Sequence, residues 1–279
     1  MFGLSSKKRW IIPAVLVLIV VLGFVIMPHA LERMFLYFPI KQLEGDPSVI
    51  GLAFQNLSII TDDRVALHGW FIPYPGAKQT LLIFHGNAGN ISHRLPWIEI
   101  LHDLCANVMI IDYRGYGKSE GSPFEEGLYR DARAAFAWWT KERAGTGEQL
   151  VLFGESIGGA VAVNLAARTA PAGLIIQSTF TSARDMARTV FPLGLLEPLA
   201  RVRFDSRAEI LRVKCPKLII HGNRDEIVPF RMGKALYEIA PGPKEFYEVP
   251  GAGHNDLPWQ AGPDYVKRLR TFLNELKTS

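Results

Sequence analysis

Short apolar runs recur six times between residues 80 and 249, each followed by a stretch of helical character. They are Thr80–His85, Asn107–Asp112, Gln149–Gly154, Gly173–Gln177, Lys217–His221 and Glu245–Val249. A strand with one wet face alternates apolar and polar side chains. A strand covered on both faces reads as a continuous apolar run, so this pattern predicts a mostly parallel sheet between two helical layers. Upstream, Gly51–Thr61 and Val65–Pro73 alternate around Asp62-Asp63-Arg64 and predict an antiparallel hairpin. A hairpin feeding strand–helix units gives an α/β sheet flanked by helices. Ser122-Pro123-Phe124-Glu125 has the form of a capping box with proline at the first helical position, predicting a helix to about Arg143. Residues 180–210 break the rhythm and read as an insertion.

The N-terminus obeys a different rule. Trp10–Met27 carries no charged residue and has no polar face. As a helix it would reach about 27 Å, close to the hydrocarbon thickness of a bilayer. Pro28-His29-Ala30 is a poor cleavage site, so an uncleaved anchor is expected rather than a signal peptide. The expected organisation is a basic segment 1–9, a transmembrane signal-anchor helix 10–27, a juxtamembrane linker 28–49 and a globular domain 50–279. Lys7, Lys8 and Arg9 precede the span, while Glu32, Arg33, Lys41 and Glu44 after it cancel. The positive-inside rule then puts the N-terminus in the cytoplasm and the domain across the membrane. Those three charges also supply most of the formal net charge of +4, so the remainder is near neutral and no nucleic-acid surface is expected. Phe35, Tyr37 and Phe38 suit the headgroup zone, or could dock on the domain.

The pattern G-x-S-x-G occurs twice, around Ser119 and around Ser156. Only Ser156 has an apolar strand leading in, Gln149–Phe153, and a small-residue helix leading out, from Gly159. That strand–turn–helix setting exposes a serine hydroxyl at a sheet edge. Ser119 sits in a polar loop and reads as a turn serine. A serine hydroxyl needs a base to take its proton and a third group to orient that base, in the chain order serine, acid, histidine. Asp225, in His221-Gly222-Asn223-Arg224-Asp225-Glu226, supplies the acid, with its neighbour Glu226 as the alternative. His254, in Gly251-Ala252-Gly253-His254, supplies the base, while His85 and His221 are expected to anchor loops. Donors for a developing oxyanion are expected from the backbone N–H of Ile157 and, in Phe84-His85-Gly86-Asn87-Ala88-Gly89, from that of Asn87. No metal or organic cofactor is expected. Cys105 and Cys215, with no CxxC between them, are expected as free thiols.

The segments HGNAG, DYRGYGKSEG, GESIGGAVA, HGNRDEIVP and GAGHND, in this order, resemble the α/β-hydrolase superfamily. More narrowly they resemble its membrane-anchored branch of Bem46-like proteins and of α/β-hydrolase domain-containing proteins 13 and 17. The resemblance covers roughly residues 50–277. It implies an α/β-hydrolase fold with a mostly parallel eight-stranded sheet, and a triad of Ser156, Asp225 and His254 on loops at one edge. It also implies a short cap formed by about 180–210, and a structural role for the Asp112–Gly117 loop. Phe180, Met186, Val190, Phe191, Leu193, Leu195, Leu196 and Leu199 make that insertion apolar, which suits an acyl chain or other lipid-derived group. The expected function is a membrane-anchored serine hydrolase of esters or thioesters, acting as a monomer on a small-molecule or lipid substrate. A serine aminopeptidase-type peptidase and a non-catalytic tethered binding protein are the alternatives.

Overall fold

The computed structural model describes residues 36–143, 149–190 and 202–276. The expected span Trp10–Met27 lies outside the described residues; among those described, no helix is long and apolar enough to cross a membrane. Eight strands form the main sheet: β1 (Gln55–Ile60), β2 (Ala66–Ile72), β3 (Gln79–Phe84), β4 (Asn107–Ile111), β5 (Gln149–Glu155), β6 (Gly173–Gln177), β7 (Lys217–Gly222) and β8 (Lys244–Val249). Across the sheet they run β8-β7-β6-β5-β3-β4-β2-β1. β1 and β2 form the expected hairpin, with Gln55 opposite Phe71 and Ile60 opposite Ala66. β2 is also antiparallel to β4, and all other neighbours are parallel.

The continuous apolar runs are explained by what covers each face. Leu82, Leu152, Ile176 and Ile219 pack with Leu128 of α2 (Glu125–Arg143), Val161 of α3 (Ile157–Ala166) and Leu236 of α6 (Phe230–Ile239). Their sequence neighbours Leu81, Val151, Ile175 and Leu218 face the other way. There they meet Ile98 of α1 (Leu95–His102) and Phe272 of α8 (Pro263–Leu276). Each fully buried side chain of this kind contributes roughly 1.5–3 kcal/mol. Three further helices lie among the described residues: α4 (Ala183–Val190), α5 (Ser206–Ile210) and α7 (Leu257–Ala261).

The capping box expected at Ser122 does not form. α2 begins at Glu125, and Leu128 N–H donates to Phe124 O at 3.0 Å. The Glu125 carboxylate turns away from its own helix start. It accepts from the Arg203 and Phe204 amides, each at 2.7 Å, and from the Tyr129 hydroxyl at 2.9 Å. Two amides from the far side of the insertion and a hydroxyl one turn along α2 outweigh the one amide that a capping box offers. The roots of the insertion also bind each other: Ala183 N–H donates to Arg203 O at 2.8 Å, and Arg207 N–H to Thr181 O at 2.9 Å. Within the insertion Phe180 is buried, its ring 6.4 Å from that of Phe204. Phe191, Leu193, Leu195, Leu196 and Leu199 lie outside the described residues. Replacing Glu125 with alanine leaves two amides unpaired and is expected to remove about 1–3 kcal/mol of stability. Urea denaturation measures it, and an unchanged midpoint would place the anchorage of this segment elsewhere.

Both cysteines are free. Cys105 leads into β4 and Cys215 into β7, with β3, β5 and β6 between them. Four inter-strand spacings separate them by about 19 Å, far beyond disulfide reach. Burial pushes the Cys215 thiol up to about 11.

Candidate active site

β5 ends in a sharp turn at Ser156, whose φ of 54° and ψ of −118° are strained for a residue with a Cβ. Three bonds hold that conformation: Ser156 N–H to Gln177 O at 3.0 Å, Thr179 Oγ1 to Ser156 O at 2.6 Å, and Gly159 N–H to Ser156 O at 3.0 Å. The turn is possible because α3 starts hard against β3. A Cβ on Gly158 would lie 2.0 Å from Phe84 O. This is why glycine follows the serine by two positions: any side chain would push the helix off the sheet edge and Ser156 with it. Ile157 opens α3, so its N–H has no helical partner.

β7 and β8 supply the other two residues. His254 Nδ1 lies 2.8 Å from Asp225 Oδ2, and both side chains are buried. Because the carboxylate is the acceptor, Nδ1 carries the proton and Nε2 is left with a lone pair. Asp225 Oδ1 accepts the Ile227 and Val228 amides at 2.9 and 2.8 Å. His221 adds a partner: its Nε2 lies 3.2 Å from Asp225 Oδ2 and 2.9 Å from Val228 O. Burial would raise the Asp225 carboxyl, but the bonds from His221, His254 and Val228 outweigh it and hold the group well below the usual carboxylate range. Glu226 is exposed and makes no hydrogen bond to a histidine among the described residues. Ser156 and His254 are brought to one region through β6. Gln177 O holds the Ser156 amide, and the next residue, Ser178, donates its hydroxyl to His254 O at 3.1 Å. Among the described residues no hydrogen bond joins the Ser156 hydroxyl to His254, as is common before substrate closes such a site.

The loop after β3 passes close to the serine: a Cβ on Gly86 would lie 3.8 Å from Ser156 Cβ. His85 beneath it is fully buried and donates from Nδ1 to Gly86 O at 2.7 Å. Burial lowers His85 to about 3, so it is neutral. Among the described residues the amides of Asn87 and Ile157 donate to no backbone acceptor. A cleft of about 240 Å³ opens here, lined among others by Arg94, Trp97, Glu155, Gln177, Asn255 and Trp259.

Ser119 lies elsewhere and is structural. Its buried hydroxyl donates to Asp112 O at 2.7 Å and accepts the His68 amide at 2.9 Å. In the same loop Arg114 grips Asp63 in the hairpin turn, at 2.8 and 3.0 Å, and Asp131 in α2, at 2.9 Å. That bond holds the Asp63 carboxyl well below its usual range. Among the described residues no cluster of three histidine, cysteine or carboxylate side chains is placed to hold a metal ion. The sequence indicated His221 as a loop anchor, which it is through Val228, but gave no sign of its second bond to Asp225.

Comparison with known proteins agrees with this architecture. Residues 75–206 match the family model described as serine aminopeptidase, S33. An uncharacterised protein of Mycobacterium tuberculosis is 35% identical over 98% of both chains. Protein Bem46 of Schizosaccharomyces pombe is 36% identical, over 82% of this chain and 79% of its own. An esterase structure from Pyrococcus furiosus superposes with a TM-score of 0.73, covering 87% of this chain and 98% of that one at 22% identity. A mostly parallel sheet of this order, with a serine at the β5 turn, defines the α/β-hydrolase class. Within that class, the chain belongs to the family of Bem46 and the related α/β-hydrolase domain-containing proteins.

Proposed function

We propose that this α/β hydrolase is a membrane-anchored serine hydrolase that cleaves an ester or thioester carrying an apolar acyl group. The observation that carries the reading is the buried Asp225–His254 pair, with its histidine bound through Ser178 to the strand end that holds Ser156. Ser156 Oγ attacks the acyl carbon while His254 Nε2 takes its proton, and the Asp225 charge stabilises the imidazolium. The Asn87 and Ile157 amides receive the developing oxyanion. The intermediate collapses as His254 returns the proton to the departing alcohol or thiol, leaving an acyl-enzyme on Ser156. Water, deprotonated by His254, then releases the acid and restores the serine. In the adjoining cleft, whose lining also includes His93, Arg94, Glu155, Gln177 and Asn255, exposed Trp259 beside Pro258 offers one apolar surface for a substrate group. The family description favours a second reading, an aminopeptidase acting through the same residues. Turnover of aryl esters, acyl thioesters and aminoacyl amides by the full chain separates the two. Ester or thioester cleavage is expected to dominate, and faster aminoacyl-amide cleavage would give the site to the peptidase reading.

The proposed anchor is Trp10–Met27, with the N-terminus in the cytoplasm and the hydrolase on the opposite face. The connection from Pro28 to Phe35 reaches at most about 28 Å, which keeps Leu36 near the bilayer. Phe38 and Ile40, 49% and 47% exposed, follow directly, whereas Tyr37 is buried in the domain. A reporter fused after Ser279 tests the orientation. Active alkaline phosphatase with dark green fluorescent protein is the expected pair, and the opposite pair reverses the topology.

A further inference from the structure

The HGNAG loop that presents the Asn87 amide contains two glycines, and a glycine-bearing loop has little stiffness of its own. Oxyanion donors act well only when they are held in place before the reaction. Within the domain the Tyr116 hydroxyl donates to Asn87 O at 2.8 Å and Arg94 to Ala88 O at 2.9 Å, and the rest of the bracing comes from the chain ahead of β1. Phe38–Pro39 pairs in parallel with Ala88–Gly89. Phe38 N–H donates to Asn87 O at 3.0 Å, and Ile40 N–H to Gly89 O at 3.1 Å. The Asn87 side-chain amide returns a bond to Leu36 O at 3.2 Å. Asn90, fully buried, donates its side-chain N–H groups to Ile40 O and Gln42 O at 2.9 and 2.7 Å. Its Oδ1 meanwhile caps the next turn through the Ser92 amide and hydroxyl, at 2.9 and 2.6 Å. Lys41 Nζ to Ser119 O, at 2.8 Å, and Glu44 N–H to Ser92 Oγ, at 3.0 Å, fix the far end of the segment.

We propose that Leu36–Glu44, the stretch that joins the N-terminal apolar segment to the domain, is a positioning element of the catalytic centre: it splints the loop carrying the Asn87 amide. The inference rests on the serine-hydrolase reading. Its consequence is that tension, displacement or removal of the chain ahead of Leu36 acts on turnover by loosening one oxyanion donor, without touching Ser156, Asp225 or His254. Segment and loop pair backbone to backbone, so the coupling depends on hydrogen bonds and little on side-chain identity at Phe38, which is half exposed.

Asn90→Asp tests it in the full chain in detergent micelles. The variant keeps the shape of the side chain and an oxygen for the Ser92 cap, but turns an acceptor toward the Ile40 and Gln42 carbonyls. Phe38→Pro is the milder partner; it deletes one of the two donors to Asn87 O, leaving the Tyr116 hydroxyl in place, at a half-exposed side chain, and is expected to fold even where Asn90→Asp does not. For Asn90→Asp, kcat on an aryl ester is expected to fall on the order of 10- to 100-fold with KM within about twofold, and for Phe38→Pro less. Amide hydrogen exchange at residues 87–90 should quicken in both, with β3 and β5 unchanged. Exchange that quickens across 36–44 while kcat holds would overturn the proposal, as would a freed segment with no change at 87–90. A wild-type protein that turns over no ester, and in which a fluorophosphonate leaves Ser156 unlabelled, would instead sink the hydrolase reading; the exchange data would still show whether the segment holds the loop.

Discussion

Replacing Ser156 with alanine is expected to lower turnover by on the order of 10⁴-fold or more and to abolish labelling by a fluorophosphonate probe. The substitution removes the one atom that forms the acyl bond. The bonds that shape the turn, from Ser156 N–H to Gln177 O and from Thr179 Oγ1 to Ser156 O, belong to the main chain of residue 156 and survive. The folded protein should therefore persist, with its thermal midpoint within a few degrees of the wild type. Whatever activity is left would come from binding and the Asn87 and Ile157 amides alone. Ser119→Ala gives the contrasting result. Its hydroxyl bridges Asp112 O and the His68 amide, so its loss should lower stability and leave labelling intact. Label on Ser119, or label retained by Ser156→Ala, would remove Ser156 from the reaction.

The second large effect is expected from Asp225→Asn, a fall of about 10³- to 10⁴-fold in kcat. Two ring nitrogens, His254 Nδ1 and His221 Nε2, converge on Asp225 Oδ2. An amide N–H₂ at that place would meet two N–H groups. His254 relieves the clash by moving its proton to Nε2, the atom that must accept from Ser156. If the asparagine flips instead, its N–H₂ meets the Ile227 and Val228 amides. Glu226→Gln has no such consequence and should stay within a few-fold of the wild type; the reverse ranking would transfer the acid role to Glu226. The same carboxylate carries a pH signature. Its folded value lies below its unfolded one, so its contribution to stability is full above about pH 4 and is lost as the pH falls further. The gap in thermal midpoint between wild type and Asp225→Asn should therefore narrow from pH 7 to pH 3.

The strand runs were legible because burial on both faces writes itself locally. Gln149–Gly154 and Lys217–His221, read as apolar runs, end within one residue of β5 and β7. Ser156, Asp225 and His254 stood out for a related reason: each lies a few residues past a strand end, and strand ends are what the apolar runs mark. Contacts between distant segments left no such trace. Glu125 looked like the closing residue of a capping box, and only the arrival of Arg203 and Phe204 beside it shows why its carboxylate turns away. Tyr37 could have faced lipid or protein on composition alone, and its burial is decided by the pairing of Phe38–Pro39 with Ala88–Gly89. Such pairing involves two residues on each side, too few for any periodic pattern to announce.

The segment after β6 leaves and re-enters the domain through a clasp, Ala183 to Arg203 and Arg207 to Thr181, that closes on itself before meeting the sheet. The cost of closing a loop grows only slowly with its length. What lies between the two halves of the clasp can therefore be lengthened, shortened or exchanged with little strain passed to β6, and so to Ser156 and His254. Ser156 and His254 stand on the sheet edge like a fixed tool post, tied to β6 by bonds that the clasp does not share. Changes confined to the stretch inside the clasp would leave that post where it stands.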